Sequence, residues 1–170
     1  MIMLKKFVIT GGPCTGKTSV INELEKEFKV IHETARQLLN KGFQGRSFEF
    51  YNAIFEKQLE NEEKLRNFRE VVFLDRGIPD ILAYFKLMDF KVPFKLKEKS
   101  KLYQTNYEII FLLDFVPYIK DEIRKENQEE ALVIHNMLYE FYDSLGYRII
   151  RVPLMSIKER VEYIKRFVLK

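Results

Sequence analysis

The chain has 170 residues, 46% hydrophobic and 14% aromatic, which is enough to bury one sizeable core, so we predict a single domain spanning residues 1–170. Its 29 basic and 25 acidic residues are mixed along the chain, so the net charge of +4 does not by itself identify a partner. One cysteine excludes an internal disulfide and a cysteine-rich metal site, and no run of about 20 apolar residues predicts a membrane span. We therefore expect a cytoplasmic protein.

The first third of the chain alternates strand and helix patterns. The segment "KFVIT" (6–10) predicts a buried strand that a glycine-rich turn joins to a helix, and "FKVIHE" (28–33) predicts a second strand. A short helix, "TARQLL" (34–39), and a loop, "NKGFQGR" (40–46), come next. A long helix is predicted from about Ser47. Its apolar stripe, which we expect in the core, consists of Phe48, Tyr51, Phe55 and Leu59.

The middle of the chain contains two further apolar strands, each followed by an acid. "EVVFLD" (70–75) predicts the third strand and "YEIIFLLD" (107–114) the fourth. Between them, Pro79 begins a helix, because proline fits the first turn of a helix without losing a hydrogen bond. The pattern continues the alternation of strand and helix.

The last third contains two helices with capping signals. Asn127 and Glu130 form a capping box that predicts a helix start, and Gly146 predicts its end. "YRIIRVP" (147–153) predicts a fifth strand, and a second capping box at 156–159 predicts the final helix. The apolar positions expected to face the core are Ala131, Ile134, Leu138, Phe141 and Leu145 in the first of these helices, and Ile157, Val161, Ile164 and Val168 in the second.

Near-continuous apolar strands separated by helices predict a sheet that is covered on both faces. Right-handed crossovers then give an α/β fold, a three-layer α/β/α sandwich around a five-stranded parallel sheet. Ligands of such sheets bind beyond the carboxyl ends of the strands. The turn at Gly11, the acid Glu33, the pair Asp75 and Arg76, and Asp114 all follow strands directly, so we expect them at one edge of the sheet.

The glycine turn carries the most specific motif. Gly11, Gly16, Lys17 and Thr18 match G-x-x-x-x-G-K-[ST], the Walker A or P-loop pattern, with a strand before it and a helix after it. Backbone N–H groups of such a loop surround phosphates, the lysine reaches the β- and γ-phosphates, and the threonine hydroxyl ligates Mg²⁺. We predict ATP and Mg²⁺ as cofactors, bound by Gly11, Gly12, Pro13, Cys14, Thr15, Gly16, Lys17, Thr18 and Ser19.

The residue after the third strand's acid separates phosphate transfer from hydrolysis. Asp75 lies where P-loop proteins hold magnesium, often through water; the alternative is an N-cap for the next helix. Hydrolysing P-loop ATPases commonly place a glutamate after this aspartate, but here Arg76 follows. A guanidinium cannot act as a base, whereas it can hold a substrate or offset charge on the phosphoryl group.

A second group of candidates follows the second strand. Glu33 is placed to accept a proton from an acceptor hydroxyl, and Arg36, one helical turn later, is placed to anchor the acceptor. The alternative is helix capping by Glu33 and a surface position for Arg36. His32 points away from Glu33 in a regular strand, so we expect a packing histidine rather than a base.

Two later segments complete the predicted site. The polar segment "FVPYIKDEIRKENQEEA" (115–131) is suited to a lid in which Arg124 meets the phosphates; the alternative is an ordinary charged loop. Pro153 follows the fifth strand, where P-loop proteins often pack adenine against backbone. The N-K-x-D motif, which would favour guanine, does not occur in the sequence. The predicted catalytic residues are Lys17, Glu33, Asp75, Arg76 and Arg124.

With these residues identified, the chain resembles the P-loop ATPase/kinase domain family typified by the ribosylnicotinamide kinase half of the NadR regulator. More loosely, it resembles deoxynucleoside and nucleotide monophosphate kinases. The matching segments span nearly the whole chain: "ITGGPCTGKTS", "HETARQLL", "FLDRGIPDILAY", "DEIRKENQEEA", and "LGYRIIRVP" with a closing S-x-x-E-R helix.

The resemblance implies ATP and Mg²⁺ at residues 11–19, metal support from Asp75, and a closing Arg124. It also implies acceptor contacts from Glu33, Arg36 and Arg76. A NadR-like AAA domain of this kind would be a nucleotide-binding transferase. A full NadR regulator also carries an adenylyltransferase part and a DNA-binding part, which have no counterpart in these 170 residues.

Three functional hypotheses follow from the sequence. The first is an ATP-dependent phosphotransferase acting on a small hydroxyl-bearing molecule, such as a nucleoside or ribosyl compound. The second is a nucleotide-dependent ATPase or switch that acts through a protein partner, with the basic run 91–101 and the aromatic-rich region 43–55 as its surface. Nucleic-acid binding by the basic run ranks last, because such runs are usually solvated helix faces.

Overall fold

The computed structural model describes residues 4–101, 106–115 and 125–169, and five strands in these ranges form one parallel sheet. The sheet order is β2-β3-β1-β4-β5, so the first strand lies at the centre. The strands are β1 (Lys5–Thr10), β2 (Lys29–Ile31), β3 (Val71–Asp75), β4 (Tyr107–Leu113) and β5 (Ile149–Val152).

Helices connect the strands and cover both faces of the sheet. Each crossover returns the chain to the same edge, which is what keeps all five strands parallel. A short 3₁₀ turn, Leu65–Asn67, follows the third helix. The helices are α1 (Lys17–Leu24), α2 (Thr34–Leu39), α3 (Phe48–Lys64), α4 (Ile78–Leu87), α5 (Phe94–Lys101), α6 (Lys125–Ser144) and α7 (Ile157–Val168).

The core consists of two layers, because side chains alternate across the central strands. Phe7 and Ile9 of β1 pack with α1 and α7 on one face, and Val8 packs with Leu74 and Tyr142 on the other. A separate apolar cluster joins α3 and α4 on that second face. The predicted three-layer α/β/α fold with a five-stranded parallel sheet is therefore confirmed.

One predicted helix start is wrong. Helix α6 already includes Lys125 and Glu126, so Asn127 lies inside the helix and is not its N-cap. The Glu130 carboxylate instead accepts a hydrogen bond from Nη2 of Arg46, at 2.6 Å. Lysine and glutamate are good helix formers, and they extend the helix past the capping signal. The predicted end is confirmed, because Gly146 follows the helix in a left-handed conformation with φ of 78°.

The apolar stripes are buried at their centres and exposed at the helix ends. In α3, Tyr51, Phe55 and Leu59 are buried, whereas Phe48 in the first turn is 38% exposed. In α6, Leu145 lies just beyond the helix and is 44% exposed.

The basic run forms a helix whose apolar side reaches the core. Within α5, Leu96 is buried, and Lys101 forms an ion pair with Glu98 at 2.7 Å. In the aromatic-rich region, Phe50, Tyr51 and Phe55 are buried rather than on a surface. The core therefore accounts for most of these aromatic side chains.

Candidate active site

The carboxyl ends of the central strands bring the predicted residues to one edge. Ile9 of β1 lies beside Asp75 of β3 in the parallel register, and the N–H of Arg76 donates to the carbonyl of Ile9 at 3.1 Å. The P-loop continues from β1, and Glu33 follows β2, the next strand beyond β3. The sheet topology thus joins segments that are far apart in the chain; Gly11 and Arg76, for example, are 65 residues apart.

The P-loop presents backbone donors at the start of α1. Gly16 is the N-cap of this helix, with φ of 80°, and no side chain caps the helix there. The first N–H groups of α1 are therefore not used by a capping side chain, as an anion site requires. Lys17 lies back along the loop, and its Nζ donates to the carbonyl of Gly12 at 3.2 Å.

The electrostatic environment of Lys17 suits the binding of a phosphate group. Burial and, to a smaller extent, the nearby charge of Arg76 lower the pKa of Lys17 to about 8, although Asp75 and Glu33 act in the opposite direction. A lysine that is poorly solvated interacts strongly with any anion that enters its site. This is the environment that a phosphate-binding lysine needs.

Helix α6 packs directly against the P-loop, which sequence reasoning did not predict. A Cβ atom on Gly12 would lie 2.6 Å from the carbonyl oxygen of Ala131, so only glycine fits there. The N–H of Gly12 donates to Nδ1 of the buried His135, at 3.3 Å. No local signal relates His135 to a loop 123 residues earlier, because the contact exists only in the folded chain.

Asp75 is buried and incompletely bonded. It is 7% exposed, and its Oδ1 atom has no hydrogen-bond partner among the described residues. Burial and, to a smaller extent, the Glu33 carboxylate raise the pKa of Asp75 to about 6, although Arg76 and Lys17 act in the opposite direction. The N-cap of α4 is Gly77, so the capping alternative for Asp75 does not hold.

An unpartnered buried carboxylate oxygen beside a P-loop fits a magnesium site. Mg²⁺ keeps several water ligands and takes few protein ligands, so a single aspartate and a hydroxyl suffice. Within the described parts of the chain, no cluster of three or more His, Cys, Asp or Glu residues could hold a metal, which argues against a zinc-type site there. The hydroxyl of Thr18, the predicted second ligand, accepts from Nη2 of Arg36 at 3.4 Å.

Arg76 is held on two sides in a strained backbone conformation. Its φ is 74°, which is uncommon for a residue with a side chain. Its Nε donates to Oε1 of Glu33 at 2.9 Å, and its Nη1 donates to Oδ1 of Asp80 at 3.2 Å. Its guanidinium carbon lies 5.6 Å from the centre of the Tyr84 ring. The guanidinium therefore has a defined position at the end of β3.

Asp80 organises this region, and the sequence analysis did not identify it. It is completely buried, and its carboxylate accepts hydrogen bonds from the Thr10 and Tyr142 hydroxyls and from the N–H of Gly77, the last at 2.9 Å. These donors come from β1, α6 and the start of α4. The available signal was the spacing in "DRGIPD", which places Asp80 four residues after Arg76 on the first turn of a helix.

A pocket of about 190 Å³ lies beside Arg76. The rings of Tyr51 and Tyr84 stack at its wall, with centroids 5.7 Å apart and planes inclined by 16°. The pocket is lined by Glu33, Thr34, Ala35, Leu39, Phe50, Tyr51, Ile54, Gln58, Asp75, Arg76, Asp80, Ile81 and Tyr84. Carboxylates and Arg76 lie at one end, and aromatic and aliphatic side chains make up the rest.

Glu33 remains ionised at this position. Burial alone would raise its pKa, but the charge and hydrogen bond of Arg76 bring the pKa below its ordinary value. Glu33 is the N-cap of α2, yet its side chain makes no capping hydrogen bond. The carboxylate therefore faces Arg76 rather than the helix, and the capping alternative is wrong.

Buried polar side chains form hydrogen bonds with Gln58 in the pocket wall. Gln58 donates to Glu62 at 3.0 Å, and Glu62 forms a buried ion pair with Lys6 at 2.8 Å. Gln58 also accepts from the Thr34 hydroxyl at 3.4 Å. Both ends of the Gln58 amide are thus bonded within the protein, so the amide is fixed in place at the pocket wall.

Two predicted residues, Arg36 and His32, have different surroundings from those expected. Arg36 is exposed and contacts Thr18 rather than lining the pocket. His32 is not a packing histidine, because it lies at the surface, where its Nε2 is 2.7 Å from the Glu25 carboxylate. Pro153 lies after β5 as predicted, and its carbonyl accepts from Nε of Arg160. Arg124 lies outside the described residues.

Comparisons with known proteins agree with this fold. A family model described as an AAA domain matches residues 6–160. A NadR protein solved in complex with NR superposes with a TM-score of 0.70 at 17% identity, covering 99% of this chain and 52% of that one. The present chain thus spans about half the length of that NadR chain.

Two other solved structures match over nearly their whole length. Thymidylate kinase from Ehrlichia chaffeensis has a TM-score of 0.70 at 16% identity, covering 99% of this chain and 100% of that one. Shikimate kinase from Acinetobacter baumannii, in complex with shikimate, has a TM-score of 0.60 at 12% identity, covering 99% and 94%. Identities this low show the fold, which is that of P-loop kinases.

Two further searches gave no positive result. No curated protein sequence matched the chain. Among the helices of the described residues, none combines the length and the apolar character that a transmembrane segment requires.

Proposed function

The chain belongs to the AAA domain family, and from that premise we propose that it is a magnesium-dependent phosphotransferase moving the γ-phosphate of ATP to a hydroxyl group of a small acceptor. A nucleoside or a ribosyl compound is the acceptor class we favour. The observation that carries this proposal is the arginine that follows Asp75, held between Glu33 and Asp80 at the end of a pocket.

The donor side of the reaction rests on the P-loop. The first N–H groups of α1 and the ammonium of Lys17 would hold the β- and γ-phosphates, because both present positive charge at the same edge of the sheet. Mg²⁺, when bound, would neutralise phosphate charge, and Thr18 and the unpartnered Oδ1 of Asp75 would hold it. Adenine would pack near Pro153, beyond the end of β5.

The acceptor side rests on Glu33 and Arg76. Arg76 occupies Oε1 of Glu33, and no described residue bonds Oε2, which is therefore available to take the proton of an acceptor hydroxyl. The guanidinium of Arg76 would face the charge that develops on the transferring group. Arg36 and Arg124, predicted to anchor the acceptor and to close over the phosphates, complete the proposed set of residues.

The charges of the pocket indicate which acceptors fit. Among the residues that line it, Arg76 is the only cation, and Glu33 and Asp80 already bond it. A phosphate group carried by the acceptor inside this pocket would meet Glu33 and Asp75, and the single cation among the lining residues is already bonded. We therefore infer that the acceptor is unphosphorylated, as a nucleoside is, rather than a nucleoside monophosphate.

The test compares acceptors that differ by one phosphate group. ADP production by the purified chain with Mg²⁺ and ATP is measured without an acceptor, with a panel of nucleosides and ribosyl compounds, and with the corresponding monophosphates. At least one unphosphorylated compound should raise the rate about tenfold or more and should appear phosphorylated by mass spectrometry.

Three results would contradict parts of the proposal. Stimulation by monophosphates alone would overturn the inference about the pocket's charge. The same ADP production with and without every acceptor would favour a slow ATPase, the second hypothesis from the sequence. If ADP production instead followed addition of a protein partner, the chain would be a switch rather than a small-molecule kinase.

A further inference from the structure

Arg160 is a buried cation that lies against three segments of the site edge. It is in the first turns of α7 and is 2% exposed. Its Nη1 donates to the carbonyl of Thr15 at 2.6 Å, its Nη2 to the carbonyl of Asp114 at 2.9 Å, and its Nε to the carbonyl of Pro153 at 3.0 Å. One guanidinium therefore joins the P-loop to the residues that follow β4 and β5.

Burying the charge of Arg160 costs free energy that a residue with only a packing role would not cost. Within the described ranges, no carboxylate lies at ion-pair distance from it, and its acceptors are neutral carbonyls. Burial lowers the pKa of Arg160, which the charge of Asp114 partly offsets. The next inward positions of α7 are Val161 and Ile164, and an apolar residue would pack there without the cost of burying a charge.

The contact with Thr15 determines the direction of a phosphate-binding N–H group. In a planar trans peptide, the carbonyl of one residue and the N–H of the next point in opposite directions. Because Arg160 holds the Thr15 carbonyl, the N–H of Gly16 points away from Arg160. Gly16 has φ of 80°, and a left-handed residue in such a loop turns successive N–H groups towards one concave side, where anions bind.

The contact with Pro153 places the same restraint on the segment where adenine would bind. Pro153 follows β5, where we place adenine in the proposed ATP site. Its carbonyl and that of Thr15 are bonded by different nitrogens of one rigid, planar group. The distance between the phosphate-binding loop, residues 11–19, and the base-binding loop, the residues that follow β5, therefore depends on Arg160.

We propose that Arg160 is a positioning residue that holds the phosphate-binding loop and the base-binding loop in register, so that ATP is bound at both ends at once. The proposal rests on the proposed ATP site, but not on the identity or existence of an acceptor. A lysine at this position would keep the charge, yet its single nitrogen cannot bond three carbonyls of separate segments in the same way.

The test measures nucleotide binding directly. Dissociation constants for Mg·ATP and for inorganic tripolyphosphate are measured by calorimetry for the wild type and for Arg160→Lys, with Arg166→Lys as the matched control, because Arg166 is an exposed residue of the same helix. Arg160→Lys should weaken Mg·ATP binding about tenfold or more, since each charge-assisted hydrogen bond contributes a comparable factor.

Two further readouts separate positioning from general structural support. The preference for ATP over tripolyphosphate should shrink in Arg160→Lys, because phosphates and base are no longer held in register. The KM of any acceptor should stay within about twofold of the wild type, since Arg160 contacts none of the pocket residues. Arg166→Lys should match the wild type in all three measurements.

Contrary results are equally specific. If Arg160→Lys unfolds more easily but binds Mg·ATP within about twofold of the wild type, the residue is structural and the inference is wrong. If the wild type does not bind Mg·ATP, both this inference and the proposed function fail. If the Arg160→Lys effect appears but no acceptor is ever phosphorylated, the proposed phosphotransfer fails and the inference stands.

A measurement on the wild type covers the case in which the variants do not fold. The side-chain Nε–H of Arg160 can be followed by NMR through its exchange with water. Addition of Mg²⁺ and a non-hydrolysable ATP analogue should slow this exchange, because nucleotide at both loops stabilises the carbonyls that Arg160 bonds. An unchanged exchange rate under saturating nucleotide would contradict the inference.

Discussion

The donor and acceptor sides of the proposed site are built in different ways. The donor side is one contiguous segment, residues 11–19, whose backbone N–H groups and single lysine would hold the phosphates. The acceptor side combines side chains from α2, α3, β3 and α4, which lie between Glu33 and Tyr84 in the chain. A backbone motif carries its binding groups in one segment that other elements position from outside, whereas a pocket of side chains draws the binding groups themselves from several elements.

The comparison predicts that donor and acceptor variants fail in distinct ways. A donor variant should lose nucleotide binding or phosphate activation for every acceptor. An acceptor variant should keep nucleotide binding and lose transfer or acceptor affinity. The four changes below test this separation, in order of decreasing expected effect.

Replacing the P-loop lysine should have the largest effect. Lys17→Ala removes the ammonium that faces the transferring phosphate, and we expect acceptor-dependent ADP formation to fall at least about 10³-fold. Steady-state rates with saturating ATP measure the loss. Lys26→Ala, which removes an exposed lysine paired only with Glu23, should leave the rate unchanged, and a loss of similar size there would show a general charge effect.

Glu33→Gln should slow transfer without weakening ATP binding. The amide has the shape of the carboxylate but cannot accept the proton of the acceptor hydroxyl, so kcat should fall about 100-fold. ATP affinity, measured by calorimetry, should stay close to that of the wild type. Glu25→Gln, which changes the exposed partner of His32, is the control. An unchanged kcat in Glu33→Gln would assign the base role to another group.

Asp80→Asn should loosen the acceptor side and lower stability. The amide nitrogen of asparagine would replace one of the two carboxylate oxygens. It would then face two hydrogen-bond donors, either Thr10 and Arg76 or Gly77 and Tyr142, and could accept from neither. We expect the free energy of unfolding to fall by about 2 kcal/mol, measured by urea denaturation, and the acceptor KM to rise more than the KM for ATP. Asp143→Asn changes an exposed aspartate and should do neither.

The smallest predicted effect concerns pH and the donor side. Burial lowers the pKa of His135, and Arg151 and Lys17 lower it further, whereas Asp114 opposes them. The folded state therefore binds fewer protons than the unfolded state below about pH 6.5, so the stability from this group is full above that pH and is lost as pH falls. Urea denaturation between pH 7 and pH 5 measures the loss.

His135→Asn supplies the matched comparison. Asparagine keeps an acceptor for the N–H of Gly12 but does not titrate. The variant will be less stable overall, because a buried ring that packs against Phe115 is removed. Its stability should nevertheless depend less on pH in this range than that of the wild type. An equal or steeper dependence would show that His135 does not link the P-loop to pH.

Most of the fold and of the donor side was predictable from sequence, because the signals are local. Glycine and lysine spacing in "GGPCTGKTS", apolar strands, and the capping box at the start of α7 each involve a few adjacent residues. The start of α6 was misplaced because strong helix formers precede the capping signal at Asn127. His32 was misassigned because strand alternation does not predict a surface partner such as Glu25.

The sequence by itself determined the sheet, the phosphate loop and the kind of residue at each strand end, because hydrophobic periodicity and turn chemistry act over short distances. Only the tertiary structure decided that Asp80 bonds Thr10 and Tyr142, that His135 bonds the P-loop, and that Arg160 joins three loops. These contacts link residues on separate elements, and they exist because parallel strands bring all their carboxyl ends to one edge. The acceptor pocket belongs to that second class, since its charge balance depends on which carboxylates reach Arg76.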